Sequence, residues 1–219
     1  MDDKAVQPKR WTSLVGRLTG GRRRTEAVSN RLALRRHYFG GHSLRARQYA
    51  LTLADQLRLP EDMRTALSLA GYVYDTGSLQ IQDEVLLHPG PLDDQQQDAI
   101  KAHVFRGCSM IRESGLFDGL PQQLVDTVYD IILFHHERYD GNGYPYGLKG
   151  ESVPYLARIM AIADSFSAMT SKRPHREALS ELEALEEIEK GIGTQFDPEL
   201  DEIFVRMMER LVALNEDQD

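Results

Sequence analysis

The sequence predicts an all-α protein, a helical bundle with long loops between some of its helices, and three observations carry that prediction. Apolar residues recur at helical spacing almost everywhere beyond Ser29, no segment alternates with the period of two that a strand shows, and glycine and proline gather between the periodic stretches. A first helix presents Leu44, Tyr49, Ala50, Leu53, Ala54 and Leu57 on one face and stops before Pro60. A second starts at Pro60, carries Glu61 and Asp62 in the first turn, where the helix dipole favours acids, and runs on Ala66, Leu67, Ala70 and Val73 towards Tyr74 and Asp75. Further helices are expected at about residues 94–114, 121–136, 154–170, 176–190 and 198–214. The connections 77–92 and 138–153 are rich in glycine and proline and read as loops, where functional groups gather on a rigid scaffold. No period of about 20–50 residues repeats.

The chain has 219 residues and a formal net charge of −8, with 41% hydrophobic and 27% charged residues. These values suit a folded domain and exclude wholesale disorder or a fibrous repeat. The longest apolar stretches, 128–134 and 159–169, are interrupted by Asp130 and Asp164, so no transmembrane span is expected. The opening Met1-Asp2-Asp3 lacks an apolar signal region and Cys108 is the single cysteine, and both point to the cytoplasm.

Charge divides the chain. Residues 1–47 hold 12 Lys+Arg against 3 Asp+Glu (+9), leaving 14 against 31 (−17) for the rest. Within the basic part, Trp11, Leu14, Val15 and Leu18 have amphipathic spacing, flanked by Lys9, Arg10 and Arg17 and followed by Gly20-Gly21-Arg22-Arg23-Arg24. We therefore divide the chain into a basic amphipathic segment, 1–28, and a helical domain, 29–219. The segment can dock on an acidic partner protein or an anionic membrane face, or lie on its own domain as a solvated appendage. Nucleic acid is disfavoured, because Trp11 is the only aromatic residue in that run. The Glu-rich helix at 178–190 offers a surface for a homodimer, against the simpler account of a solvated acidic face.

Seven histidines are present. His42 follows a glycine pair, Asp75 precedes Gly77, His103 lies within a helix, and His135-His136 close another. Taken singly, a histidine is usually a hydrogen-bonded surface or core residue, and His37, His88 and His175 keep that reading. The company of Asp75 and Asp164 raises the others, since imidazole with carboxylate is a ligand set for Fe, Mn, Zn or Ni. Adjacent helical residues point about 100° apart, so only one of His135 and His136 is expected to face straight into a core.

The segment His135-His136-Glu137-Arg138-Tyr139-Asp140-Gly141-Asn142-Gly143-Tyr144-Pro145, with Gly147-Leu148-Lys149-Gly150 and Val153-Pro154 beyond it, closely resembles the signature of the HD-GYP family. These are bacterial metal-dependent phosphodiesterases of the HD superfamily that cleave cyclic di-GMP. The resemblance extends through His42-Ser43 with Arg45, Tyr74-Asp75-Thr76-Gly77, Lys101-Ala102-His103, Ala161-Ile162-Ala163-Asp164, Thr170-Ser171-Lys172-Arg173-Pro174 and Gly193-Thr194-Gln195-Phe196-Asp197-Pro198. It implies an HD-superfamily helical bundle with two or three metals, which activate water for attack on phosphorus. It implies one metal site from Asp75, His103, His135 and His136, and another from His42, a histidine at position 74, the bridging Asp75 and Asp164. Asp75 would also position the attacking water. Arg173 and Arg176 would meet ligand phosphates, with Gly143 and Tyr144 contributing from the loop, while Glu137 and Asp140 fix that loop.

Four positions depart from the family. Tyr74 stands where the histidine is expected, Ser78 in place of a lysine, Ser167 in place of an aspartate, and Tyr38 where three-metal members carry a glutamate. A phenol with a pKa near 10 is a poor ligand for a divalent ion, so one metal site is expected and the second is doubtful. The lysine and aspartate pair in the family, and losing both leaves no stranded charge. The expected function is therefore a regulatory or partner-binding module of cyclic di-GMP signalling, acting through the Gly-Tyr-Pro loop or the basic segment, with weak or lost hydrolysis. The alternatives are a working phosphodiesterase that tolerates Tyr74, and activity on another phosphate ester.

Overall fold

The computed structural model describes residues 42–216 except 87, 89 and 173–176, with side chains described to 214. The basic segment 1–28, Tyr38, Arg173 and Arg176 lie outside the described residues. Among the described residues the architecture is helical, as expected, and the sole strand-type pairing is an isolated bridge between Ile192 and Phe196. The helices are α1 (His42–Gln56), α2 (Glu61–Val73), α3 (Asp83–Leu86), α4 (Asp94–Lys101), α5 (His103–Glu113), α6 (Gln122–Phe134), α7 (Tyr155–Met169), α8 (Glu181–Lys190) and α9 (Pro198–Glu216). None is long and apolar enough to cross a membrane.

The apolar spacing of α1 buries Ala46, Ala50, Leu53 and Ala54 against α2 and α7. Arg58 in the left-handed region (φ 52°) ends it, with the Leu59 amide donating to the Ala54 carbonyl at 2.9 Å. Pro60 then sets the start of α2. Helix α7 forms the axis of the bundle and touches α1, α2, α6, α8 and α9, which is why Ile159, Met160, Ile162, Ala163 and Phe166 are all buried. Phe166 meets Tyr49 and Phe204 edge-on at 5.0 and 5.4 Å. Helix α8 lays Ala184, Leu185 and Ile188 towards α9, leaving its glutamates outward.

Three expectations are corrected. The single helix at 94–114 is two, α4 and α5, meeting at Ala102. The His103 ring bonds the Ile100 carbonyl at 2.7 Å, a donor competing with the helix ladder. The loop at 77–92 holds a 3-10 helix, Thr76–Gln80, and the short α3. The helix expected from residue 176 begins at Glu181, where Ser180 and Glu183 form a reciprocal capping box.

Asp201, in the first turn of α9, is fully buried, and neither carboxylate oxygen has a hydrogen-bond partner among the described residues. Burial first, then the Glu189 and Asp197 carboxylates, push it from 3.8 up to about 7. The folded chain thus keeps a proton that the unfolded chain releases at lower pH. Its contribution to stability is full below about pH 4 and lost as the pH rises through about 7. Asp201→Asn should flatten this part of the pH dependence and stabilise the protein at pH 8 by about 1–3 kcal/mol. Thermal denaturation of both proteins from pH 4 to 8 checks this, and identical profiles would contradict it.

Candidate metal centre

The six side chains expected to bind metal converge on the end of the bundle where α1 and α5 begin and α2 and α6 stop. His42 opens α1, Asp75 follows α2, His103 opens α5, His135 and His136 follow α6, and Asp164 projects from α7. The ligand nitrogens of His103, His135 and His136 lie within 4.8 Å of one another. His103 Nε2 is 3.6 Å from Asp75 Oδ1. His42 reaches the other way, with Nε2 3.8 Å from Asp75 Oδ2 and Nδ1 3.6 Å from Asp164 Oδ1.

The chemistry of the histidines fits a metal. His103 Nδ1 donates to the Ile100 carbonyl at 2.7 Å, and His135 Nδ1 to the Ile132 carbonyl at 2.9 Å. A carbonyl only accepts, so each bond fixes the proton on Nδ1 and leaves a lone pair on Nε2. Both Nε2 atoms are buried without a hydrogen-bond partner among the described residues. Such orphaned groups cost about 1–3 kcal/mol each unless a ligand takes up the lone pair. Two ligands about 2.1 Å from a tetrahedral ion sit about 3.4 Å apart, close to the Asp75 to His103 spacing. Burial first, then His103, holds the His135 pKa below its ordinary value, and burial with His135 holds His136 well below it. Both rings therefore stay neutral and able to bind a cation.

His135 is buried and His136 partly exposed, yet both reach one cluster, with ring centroids 4.1 Å apart, because the pair lies beyond the last residue of α6. The Gly-Tyr-Pro loop then folds back. A Cβ on Gly143 would collide with the backbone of residues 136–138, so only glycine allows the Tyr144 amide to reach the His136 carbonyl at 3.2 Å. This stacks the Tyr144 ring on His136, at 4.8 Å and 26°. Burial first, then Asp75 and Asp164, raises the Tyr144 phenol far above its ordinary range. Glu137 is a buried strut, its two oxygens accepting from the Tyr146 and Leu148 amides at 2.7 and 3.0 Å. Asp140 pairs with Arg138. The loop is strapped to the α8–α9 turn by Asp140 N–H to the Thr194 carbonyl at 2.7 Å and Tyr139 N–H to the Gln195 carbonyl at 3.2 Å.

The half containing Asp164 is built differently. Tyr74 is 1% exposed and its hydroxyl donates to Asp164 Oδ1 at 2.6 Å. Burial first, then the Asp164 and Asp75 charges, hold the phenol well above its ordinary pKa, so it stays a donor. Ser78 donates to Asp75 Oδ1 at 2.5 Å. Ser167 donates to the His42 carbonyl at 2.7 Å, and the Ser167 carbonyl accepts from Ser171, itself bonded by Arg45. The carbonyls of Ile100 and Ile132 were not anticipated. Their signal is positional, since each stands three residues before the histidine it orients. Nor were the contacts of Tyr146 with Phe105 and Phe134.

The model of the HD domain family matches residues 26–200, most of the chain. The chain belongs to the HD-domain family and, with its Gly-Tyr-Pro loop, to its HD-GYP type. A probable cyclic di-GMP phosphodiesterase of Vibrio cholerae is 33% identical over 174 residues, 76% of this chain and 40% of the relative. The cyclic di-GMP phosphodiesterase response regulator RpfG of Xanthomonas campestris is 38% identical over 146 residues, 67% of this chain and 37% of the relative. The chain thus spans about two fifths of the length of these relatives. The solved structure of Bd1817, a HDG"Y"P protein from Bdellovibrio bacteriovorus, shares the fold, with a TM-score of 0.58 at 18% identity over 77% of this chain and 51% of that one.

Gly77 keys the turn that carries Asp75 to α5. A Cβ there would strike the His103 carbonyl and the Gly107 amide. Gly77→Ala should therefore push Asp75 away from His103, cost about 1–3 kcal/mol of stability and lower the bound metal. Thermal melts with elemental analysis test this, and full metal content in the variant would contradict it.

Proposed function

We propose that the chain is a regulatory or partner-binding module of bacterial cyclic di-GMP signalling. In this reading it holds one divalent transition ion (Fe, Mn, Zn or Ni) on His103, His135, His136 and Asp75, and has weak or lost phosphodiesterase activity. The observation that carries this reading is the Tyr74 hydroxyl bonded to Asp164 Oδ1 at 2.6 Å. It puts a protonated donor where a second ion would need a lone pair, and ties down an oxygen of a ligand that ion would need. Ser78 and Ser167 add no charge with which to grip a phosphate or protonate a leaving group.

A bound ion would supply Lewis acidity and a lower pKa for water. The residues of this chain would do the rest: the three imidazoles and Asp75 hold the cation, Tyr144 covers His136, and the Gly-Tyr-Pro loop offers its outer face to a partner. Arg173 and Arg176 would meet the phosphates of a cyclic dinucleotide. The segment 1–28 is a second surface for a protein partner, and self-association through α8 is the remaining one. The alternative reading, an active metal-dependent phosphodiesterase, is favoured by the intact three-histidine cluster and by relatives named as cyclic di-GMP phosphodiesterases.

A turnover assay on cyclic di-GMP and its linear dinucleotide separates the two. Catalytic groups act as a unit, so losing a ligand and a proton donor removes most of the rate. The regulatory reading expects at least about a hundredfold less turnover than an intact member of the family. Rapid hydrolysis that His135→Ala abolishes would reject it. Tyr74→His with Ser78→Lys and Ser167→Asp should raise metal content and turnover together, and no gain in either would contradict the assignment of Tyr74 as the lesion.

A further inference from the structure

The turn between α8 and α9 clasps the Gly-Tyr-Pro loop at both of its ends. At the near end the Asp140 and Tyr139 amides donate to the Thr194 and Gln195 carbonyls at 2.7 and 3.2 Å, and Arg138 Nη1 donates to Gln195 Oε1 at 3.2 Å. Gln195 Nε2 donates in turn to Ser165 Oγ of α7 at 3.3 Å. At the far end Arg158 joins loop and turn, donating through Nε to the Val153 carbonyl at 3.0 Å and through Nη1 to Asp197 Oδ2. Asp201 lies one helical turn beyond this clasp, its amide donating to the Asp197 carbonyl at 2.9 Å. Its carboxyl is fully buried, and neither oxygen has a partner among the described residues. We propose that the α8–α9 turn is a proton-controlled latch on the Gly-Tyr-Pro loop, closed while Asp201 is neutral and released when Asp201 ionises.

Two features support it. The first is that Asp201 has nothing to balance a charge where it stands. The charged groups that bear on it are Glu189 of α8 and Asp197 of the turn, both acidic, and with burial they push its pKa up to about 7. Arg158 of α7 is committed to Asp197, Lys190 and Arg206 to Glu187 and Glu202, and Arg45 and Arg47 of α1 to Ser171 and Ser68. An ionised Asp201 must therefore reach water. The second is that the turn is the part best able to give way. Its residues Ile192, Gly193 and Thr194 are exposed, whereas α8 and α9 are locked by buried Leu185, Ile188, Phe204 and Met208, and local opening starts in weakly packed segments. Opening withdraws the Thr194 and Gln195 carbonyls from the loop that lays Tyr144 on His136. The proposal rests on the metal reading above only in that the loop then uncovers a bound ion.

Hydrogen exchange of the full, metal-loaded chain across about pH 6 to 8, corrected for the intrinsic pH dependence of exchange, tests this. Opening returns Asp201 to an ordinary pKa near 4, so the latch opens more easily as the pH rises and levels off above about 7. The Tyr139 and Asp140 amides should lose protection about tenfold over that range. The Gly115, Asp118 and Leu120 amides, bonded within the α5–α6 connection at the opposite end of those helices, should keep theirs. Asp201→Asn should remove the fall, and Glu189→Gln, at an exposed position, should shrink it and make it level off at lower pH. No fall in the wild type, an equal fall in the α5–α6 connection, or a fall that persists in Asp201→Asn would overturn the latch. An unchanged profile in Glu189→Gln would overturn it too, which keeps the test decisive should Asp201→Asn not fold. If elemental analysis finds no metal while the fall is present and follows both variants, the latch stands and the metal reading fails.

Discussion

Asp75 faces two ways, with one carboxylate oxygen towards His103 and the other towards His42, and the geometry of the whole centre follows from where that side chain is held. It stands just past α2, in the turn that Gly77 lets press against the backbone of α5. Its oxygen facing His103 is further fixed by the Ser78 hydroxyl. Helices that are distant in sequence are thereby brought into register, and any shift of the turn moves both halves of the site at once.

What the two halves can do differs because of one ring. On the His103 side, backbone carbonyls fix the imidazole protons on Nδ1 and leave the Nε2 lone pairs buried, a donor set that fits a cation. On the Asp164 side, Tyr74 supplies a proton instead of a lone pair, and the surrounding carboxylates make that proton harder to remove. The two serines follow the same logic. Ser78 and Ser167 are neutral hydroxyls that donate to Asp75 and to the His42 carbonyl, so the neighbourhood is satisfied without a charge at either position.

Much of this was legible in the sequence. The apolar faces of α1, α2 and α7 and the proline starts predict the helices well, and the side chains that meet at the end of the bundle could be named from the motif residues. The break at Ala102 was not legible, since Asp94 to Ser114 is uniformly helical in its periodicity. The break reflects a tertiary contact with Gly77 and a side chain competing for the Ile100 carbonyl. The hydrogen bond from Tyr74 to Asp164 spans 90 residues and has no local signature. The stacking of Tyr144 on His136 likewise has no local signature.

In the proposed lopsided centre, the His103, His135 and His136 side holds an ion and the Tyr74 and Asp164 side does not. Anomalous scattering at the metal edge, on crystals of protein purified without chelator, measures this most directly. The account predicts one strong peak per chain beside the three histidines. Two peaks of equal height, the second between His42 and Asp164, would contradict it.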